Sequence, residues 1–193
     1  MKKLLYWAMA ALLVTGFTAC NNEEPAPEPD PTPVTPDPEP EPEPEPTYTN
    51  IPVPAMTLGT VYFAPGWTPN DNYTAGINDG TISITCNDAT SDQWQAQFPF
   101  ELASTIALEN GKTYRLSITL NASSEVNPTI KFEQDQDNFL TADRIGAFSG
   151  DKAFSVVVTM TKDVTLDTLL FDLGGNQAGL TFTASNITLE VQD

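Results

Sequence analysis

The chain of 193 residues has no histidine, two cysteines, and eight basic side chains against 26 acidic ones. Without histidine, Ser-His-Asp and Cys-His nucleophiles and His-ligated metal centres are excluded. Two cysteines are too few for a structural zinc site or a disulfide framework. A net charge of −18 excludes nucleic acid as a partner, because phosphate binding needs a basic surface. The composition therefore leaves binding, or chemistry carried by carboxylates.

The beginning of the chain has the pattern of an export signal. Two lysines precede an apolar run over residues 4–14, which is too short for a permanent membrane helix. The run leads into Phe17-Thr18-Ala19-Cys20, which resembles a bacterial lipobox. The resemblance implies that residues 1–19 are a lipoprotein signal peptide and that Cys20 is lipidated. The alternative is an ordinary signal peptide cut near Ala19.

The residues around Cys20 bear on location. No Asp follows this cysteine, which resembles outer-membrane sorting, and Glu23-Glu24 resembles surface-export signals of Bacteroides-type bacteria. Acyl chains on one cysteine hold a protein on a membrane without spanning it. These resemblances imply a lipid-anchored outer-membrane protein exposed at the cell surface.

Residues 21–47 form a segment rich in proline and acid. Eleven of the 17 prolines lie between Pro25 and Pro46, and nine acids lie between Glu23 and Glu45, with no base in the segment. Such a segment has no apolar surface to bury, and each proline removes a backbone donor. We therefore predict a disordered linker in extended polyproline geometry, with a rise of about 3.1 Å per residue. A PxxP ligand is the alternative, and a spacer is favoured.

Residues 48–193 have the pattern of a single folded domain, with 17 acids, six bases and a net charge of −11. Apolar and polar residues alternate along short runs, and sustained helical periodicity is missing. Turn signals such as Asn78-Asp79-Gly80 and Glu109-Asn110-Gly111 separate the runs. We predict an all-β domain, an antiparallel β-sandwich or jelly roll. The predicted strands cover residues 60–64, 81–86, 93–102, 114–121, 129–134, 154–161, 167–173 and 180–191.

The run over 93–102 places Trp94 and Phe98 on the core side and leaves glutamines on the other side. In the same way, Cys86 is in phase with the apolar residues of its strand. It is interpreted as a small core residue, because no cation lies nearby in sequence to activate a thiol.

Several segments of the domain resemble carbohydrate-binding modules of the family 4/9/22 type. They are Trp94-Gln95-Ala96-Gln97-Phe98, the run Gly111-Lys112-Thr113-Tyr114, Leu173-Gly174-Gly175 and Ser185-Asn186-Ile187-Thr188-Leu189. The resemblance covers most of residues 58–192. It implies a jelly roll of galactose-binding-like topology that binds glycans on a concave sheet face without catalysis.

The resemblance also implies which side chains face the cleft. They are those at positions matching Lys131, Thr168 and Asp172. Family members often carry glutamine where this chain has Thr168 and Asp172, so the sequence departs from the family at those two positions.

A glycan site combines aromatic platforms with amides and carboxylates, because a sugar ring has an apolar face and a rim of hydroxyls. The polar candidates are Gln95 and Gln97, on one side of a predicted strand, with Lys131, Glu133 and Asp172 on neighbouring strands. The alternative for the glutamines is polar filling of a solvated strand.

The aromatic candidates lie outside the alternating runs. Trp67 and Tyr73 fall in the predicted loop over 65–76, and Phe139 follows Asp135-Gln136-Asp137-Asn138, another predicted loop. The alternatives are a buried staple for Trp67 and a core position for Phe139. Trp94 is a lesser candidate, at the start of its strand.

Three further hypotheses remain open. The acidic run that begins at Asp135 suggests a structural calcium ion, because hard cations prefer oxygen ligands. Glu133 and Asp172 suggest a glycoside hydrolase, since that chemistry needs only two carboxylates. A surface adhesin, or an envelope subunit that binds protein partners, fits the anchor and stalk equally well. The favoured hypothesis is non-catalytic capture of a neutral polysaccharide of the xylan or β-glucan class, beside neighbouring glycan-utilisation proteins.

Overall fold

The computed structural model describes residues 45–64 and 72–193. The predicted signal peptide, Cys20, most of the predicted linker and Trp67 lie outside these ranges. Within them, no helix has the length and apolarity needed to cross a membrane.

The described part of the chain folds as twelve strands with one short 3-10 turn at Gln93–Gln95. The all-β prediction is confirmed. The strands are β1 (Tyr48–Ile51), β2 (Met56–Leu58), β3 (Tyr62–Phe63), β4 (Tyr73–Asn78), β5 (Thr81–Cys86), β6 (Ala96–Leu108), β7 (Thr113–Val126), β8 (Thr129–Asp135), β9 (Asn138–Arg144), β10 (Phe148–Thr159), β11 (Val164–Asp172) and β12 (Leu180–Gln192).

The strands form two antiparallel sheets. Sheet A has the order β10-β7-β12-β5-β4, with β1 paired to β12. Sheet B has the order β2-β6-β11-β8-β9, with β3 paired to β6. The order is not sequential in either sheet, because consecutive strands repeatedly cross from one sheet to the other, as in a jelly roll.

The core lies between the two sheets and is built from the alternating apolar positions that the sequence predicted. Sheet B contributes Phe98 and Phe171, and sheet A contributes Leu116 and Phe182, all with no exposed surface. The Phe171 and Phe182 rings pack across the sandwich, with centroids 5.4 Å apart. Cys86 is fully buried in the same core, which raises the pKa of its thiol to about 12. This confirms its interpretation as a small core residue.

The predicted strand over 93–102 starts later than expected. Residues 93–95 form the 3-10 turn, and β6 begins at Ala96. The side chain of Gln95 closes the turn, because its Oε1 accepts hydrogen bonds from the backbone N–H groups of Ser91 and Asp92, each at 3.0 Å. The change of backbone geometry rotates Trp94 out of the core phase, so its expected core position is wrong.

Gly174 fixes this turn against the rest of the sandwich. Its N–H donates to the Gln93 carbonyl at 3.0 Å, and Leu173 N–H donates to the Ala96 carbonyl at 2.8 Å. A Cβ at position 174 would lie 2.0 Å from the Asp92 carbonyl oxygen. Only glycine therefore allows the end of β11 to approach the turn this closely.

Two aromatic residues assigned to or next to predicted loops lie on strands. Tyr73 begins β4, where it pairs with Cys86, and Phe139 lies in β9. Neither strand shows a clear alternation of apolar and polar residues in the sequence. In β4 most residues are only partly buried, and β9 pairs with β8 through a register shift.

Candidate functional site

The outer side of sheet B carries the site candidates that the sequence placed on strands. We call this surface the polar face. Its side chains leave the sheet on the side opposite the core, and its central members are Gln97, Glu101, Thr129, Lys131, Glu133, Thr168 and Asp172.

Strand register arranges the polar face in rows. Asp172 lies between Gln97 and Thr129, directly opposite both. Thr168 lies between Glu101 and Glu133 in the same way. Since directly paired residues point to the same side of a sheet, these groups form one surface. The predicted co-location of Lys131, Glu133 and Asp172 follows from this register.

The centre of the polar face is an ion pair. Lys131 Nζ lies 3.0 Å from Asp172 Oδ2. Asp172 is only 4% exposed, whereas the Lys131 side chain is 27% exposed. Burial raises the pKa of the Asp172 carboxyl, and the hydrogen bond and charge of Lys131 oppose that effect. The aspartate is thus a desolvated acceptor whose charge is held by one cation.

Glu133 has a similar but shallower environment. Burial raises the pKa of its carboxyl, Lys131 lowers it, and the charges of Asp172, Asp135 and Asp167 raise it further. Within β11, the Thr168 hydroxyl donates to Oδ1 of the preceding residue, Asp167, at 2.8 Å. A cavity of about 340 Å³ opens beside these groups, lined by Glu101, Leu102, Gln134, Asp167 and Thr168.

An aromatic pair lies at one edge of the polar face. Trp94, on the 3-10 turn, is 49% exposed, and its ring centroid lies 6.3 Å from that of Tyr62 at an interplanar angle of 41°. Tyr62 in β3 pairs directly with Gln97, so its side chain leaves the sheet on the same side. An exposed indole and a half-buried phenol thus flank the polar centre.

Phe139 lies at the opposite edge. It pairs with Glu133 in the register and is 38% exposed, so the alternative that it belongs to the core is wrong. Four strand spacings separate β3 from β9, which places the two aromatic edges about 19 Å apart. The polar face is therefore wider than a single sugar ring.

The glutamine prediction is realised in only one of its two candidate residues. Gln97 lies on the polar face opposite Asp172, and its amide lowers the pKa of that carboxyl. Gln95 instead uses its side-chain oxygen to close the 3-10 turn. Gln93, on the same turn, donates from its amide to the Thr129 hydroxyl. The expectation that the glutamines of the run over 93–102 share one side of a strand is therefore wrong, because the turn breaks the alternation.

Tyr73 is placed away from the polar face. Its ring packs in an aromatic cluster, 5.5 Å from the Phe98 centroid and 5.8 Å from the Phe63 centroid. Tyr73 belongs to sheet A, and its partly buried ring contributes to packing between the sheets. Trp67 and the lipidation candidate Cys20 lie outside the described residues.

The acidic run at Asp135 forms a hydrogen-bonded turn. Asp135 Oδ1 accepts from the backbone N–H groups of Asp137 and Asn138 at 2.8 and 2.9 Å, and the bond from the Asn138 side chain contributes most to lowering its pKa. The Lys162 ammonium donates to the Asp137 carbonyl and to Asn138 Oδ1. Within residues 45–64 and 72–193, no three acidic or cysteine side chains are grouped to hold a metal ion. The calcium site remains a prediction.

Sequence reasoning missed Tyr62 and underrated Trp94. Tyr62 lies in the predicted strand over 60–64, but its neighbours Val61 and Phe63 are both apolar, so the sequence does not indicate which side of the sheet it faces. For Trp94 the signal was Gly174-Gly175, which marks a close backbone approach, but its partner in space is more than 70 residues away in sequence.

No protein-family model and no curated protein sequence matches the chain. Solved structures that are similar to it include carbohydrate-binding modules. One, described as "CBM4 structure and function", is 22% identical with a TM-score of 0.49, and the match covers 68% of this chain and 85% of that one. Another is the N-terminal cellulose-binding domain from Cellulomonas fimi β-1,4-glucanase C, 16% identical with a TM-score of 0.47, covering 69% and 86%. A third is a variant of the family 29 module CBM29-2 complexed with mannohexaose, 14% identical with a TM-score of 0.43, covering 76% and 92%.

Proposed function

We propose that the protein binds a neutral polysaccharide on the polar face and does not cleave it. The observation that carries the proposal is the arrangement of this surface. A desolvated carboxylate, an ammonium and an amide occupy its centre, and exposed aromatic rings lie at its two edges.

Each part of the arrangement matches one part of a sugar chain. The Trp94 and Phe139 rings offer apolar surface for the C–H faces of sugar rings. Gln97 both donates and accepts hydrogen bonds, while Lys131 only donates and ionised Glu133 only accepts. Individual contacts of this kind are weak, because each must offset the ordering of the ligand. Affinity therefore grows with the number of sugar units that lie across the face.

Charge on the polar face favours an uncharged ligand. Four carboxylates lie on it or line the cavity at its edge, and they outnumber the two cations. The carboxylates are Glu101, Glu133, Asp167 and Asp172, and the cations are Lys131 and Arg144. An anionic chain such as a polyuronide would meet net repulsion there. This favours xylans and β-glucans over acidic polymers.

Affinity electrophoresis of the full chain on soluble xylan and mixed-linkage β-glucan tests the proposal. Trp94→Ala and Phe139→Ala should each reduce retardation strongly. Val157→Ala is the matched control, because Val157 is an apolar side chain, 53% exposed, on sheet A. If no polysaccharide retards the wild-type protein, binding of protein partners in the envelope replaces glycan capture, and crosslinking on cells identifies the contact.

A glycoside hydrolase is the second candidate, favoured by one observation. Burial raises the pKa of both Glu133 and Asp172, as a catalytic acid requires. The ion pair with Lys131 opposes this role, because it stabilises Asp172 in its ionised form. Release of new reducing ends from xylan or β-glucan, abolished by Glu133→Gln, would replace the binding function by hydrolysis.

We also propose that the protein is anchored through Cys20 in the outer membrane and exposed at the cell surface. The support is the sequence pattern of residues 1–24, and the proline-rich linker that follows would hold the domain away from the membrane. Cys20→Ala should move the protein from the membrane fraction to the soluble fraction. Proteolysis of intact cells, with a periplasmic protein as control, tests exposure; protection of the domain would contradict it.

A further inference from the structure

We propose that Asp172 and Lys131 act together as a reader of two neighbouring hydroxyl groups, so that the polar face accepts only stretches of polysaccharide that are unsubstituted there. This inference rests on the proposed function and specifies the ligand further. It assigns Asp172 Oδ1 as the acceptor for one hydroxyl and the Lys131 ammonium as the donor to the next.

The first observation is an acceptor left without a donor. Asp172 uses Oδ2 for its ion pair with Lys131. Its other oxygen, Oδ1, is buried and accepts no hydrogen bond of normal geometry in the described part of the chain. A buried, charged acceptor without a donor is costly, and such groups in native proteins call for an explanation. A ligand donor supplied at the centre of a binding face would remove that cost.

The second observation is that the neighbours of Asp172 leave this oxygen unused. Gln97 lies directly opposite on one side, and its amide lowers the pKa of the Asp172 carboxyl, yet it makes no hydrogen bond of normal geometry to Oδ1. Thr129 lies directly opposite on the other side, and its hydroxyl already receives the Gln93 amide. Polar side chains thus flank Asp172 on both sides, but none of them forms a hydrogen bond of normal geometry with Oδ1.

The chemistry selects a hydroxyl. An ionised carboxylate can only accept, and an ammonium can only donate. One sugar hydroxyl can donate to Oδ1, and the neighbouring hydroxyl can accept from Lys131, whose ammonium has three donors and one ion-pair partner among the described residues. A metal ion at the same point would face the Lys131 ammonium and repulsion from it. A ligand carboxylate would face the desolvated charge of Asp172.

Burial turns this pair into a specificity device. Oδ1 is buried, so a ligand hydroxyl reaches it only when a neighbouring side chain shifts, and the nearby Lys131 and Gln97 side chains are both partly exposed. A hydroxyl is small and supplies the required donor. An acetyl or methyl group on the sugar oxygen removes the hydrogen-bond donor and adds volume next to the buried Asp172 Oδ1. Sites built to hydrogen-bond a hydroxyl discriminate strongly against analogues that lack it.

The test measures dissociation constants by titration calorimetry on the full chain. The probes are soluble xylan and mixed-linkage β-glucan, each in native form and after O-methylation. For the wild type, O-methylation should weaken binding of the polymer it recognises by about tenfold or more, the range for losing a hydrogen bond to a charged group. Asp172→Asn should weaken binding of the native polymer and bring the ratio of the two constants towards one.

A matched control comes from the opposite sheet. Asp151 also accepts a side-chain hydrogen bond, from Asn121 at 2.7 Å, but it lies on sheet A. Asp151→Asn should leave both constants at their wild-type values. If Asp172→Asn folds poorly, the double variant Asp172→Asn with Lys131→Gln replaces the ion pair by two amides and avoids an unpaired charge. It should also lose discrimination.

The two proposals fail in different ways. If Asp172→Asn and the double variant keep the wild-type ratio while Trp94→Ala abolishes binding, the polar face binds glycan and the hydroxyl reader is wrong. If the wild type binds neither native polymer and Trp94→Ala has nothing to abolish, the proposed function fails and the hydroxyl reader fails with it.

Discussion

The outer surfaces of the two sheets are built from the same alternating pattern, but they differ in how far their polar side chains form hydrogen bonds with one another. On sheet A, small side chains bond one another across strands, as Thr113 does with Thr159 at 2.8 Å and Ser117 with Ser155 at 3.1 Å. On the polar face of sheet B, Asp172 keeps an oxygen without a donor. The difference shows that a polar strand face becomes a candidate site when its groups are left unsatisfied.

The ion pairs of the two surfaces also differ, because only the pair on the polar face contains an almost fully buried charge. Arg115 and Glu190 on sheet A are 2.7 Å apart, and both side chains are partly exposed. The Arg115 guanidinium also lies 3.9 Å from the centroid of the Tyr48 ring. Lys131 and Asp172 form a pair of similar length, but the aspartate is almost fully buried. Water can therefore solvate both charges of the ion pair on sheet A if the pair breaks, whereas on the polar face the Asp172 carboxylate would stay buried without its cation.

The largest effect on stability is expected at the turn that carries Trp94, which sheet A does not have. Gly174→Val places a branched side chain against the Asp92 carbonyl, so we expect a loss of about 3 kcal/mol in the free energy of unfolding. Glycan binding should fall as well, because the turn must move. Urea unfolding measures the first effect.

Gly76 supplies the control for this substitution. A Cβ at Gly76, on sheet A, meets no atom within 4 Å, so Gly76→Ala should leave stability unchanged or raise it slightly. Equal losses for both variants would contradict the assigned role of Gly174.

The next effect compares the two ion pairs. Lys131→Met leaves the Asp172 carboxylate buried without its cation, and we expect a loss of about 2 kcal/mol, below the range for fully buried pairs because Lys131 is partly exposed. Arg115→Met breaks a pair in which both side chains reach solvent, and it should cost less than about 1 kcal/mol. Urea unfolding at neutral pH compares the two; a larger loss for Arg115→Met would reverse the distinction between the surfaces.

The smallest effect is a difference in pH dependence. Burial raises the pKa of Glu133 above its ordinary value of 4.5, whereas the hydrogen bond from Arg115 lowers that of Glu190. The folded protein thus binds a proton at Glu133 more readily than the unfolded chain does. Above the raised pKa, the partly buried charge of Glu133 destabilises the folded protein. This destabilisation disappears as the pH falls through the raised pKa. Glu190 stabilises above pH 4.5, and this contribution is lost as pH falls through its lowered pKa.

Two isosteric variants distinguish the destabilising charge of Glu133 from the stabilising charge of Glu190. Glu133→Gln should gain stability relative to the wild type at pH 7 and lose that gain towards pH 4. Glu190→Gln should be less stable than the wild type at pH 7, with the deficit shrinking in acid. Thermal unfolding across this range provides the measurement. Parallel profiles for the two variants would show that the two carboxylates do not differ in environment.

The fold could be predicted wherever local pattern and burial agree. Alternation in β7 and β11 identified their core residues and placed Asp172 on the outer side. The same rule failed at Trp94, because a turn held by Gly174 overrides the local pattern through a contact distant in sequence. Tyr73 was read as loop from the Pro, Asn and Asp residues before it, although burial against Phe98 fixes it in β4.

The site was predicted in its centre and less well at its edges. Alternation along β8 puts Lys131 and Glu133 on the same side of the sheet, and this much follows from the sequence. The aromatic edges depend on a two-residue strand and on a register shift in β9, and neither leaves a periodic signal. The open oxygen of Asp172 depends on the spacing of atoms across three strands, which residue types alone do not contain.

The close approach at Gly174 has a consequence for the thermodynamics of recognition. The backbone on both sides of Trp94 is tied to the end of β11 by hydrogen bonds from Gly174 and Leu173. A ligand that stacks on this indole therefore orders little of the chain that was not ordered already, and less of the interaction is lost as conformational entropy. A glycine that touches no sugar thereby contributes to affinity, by fixing the platform before the ligand arrives.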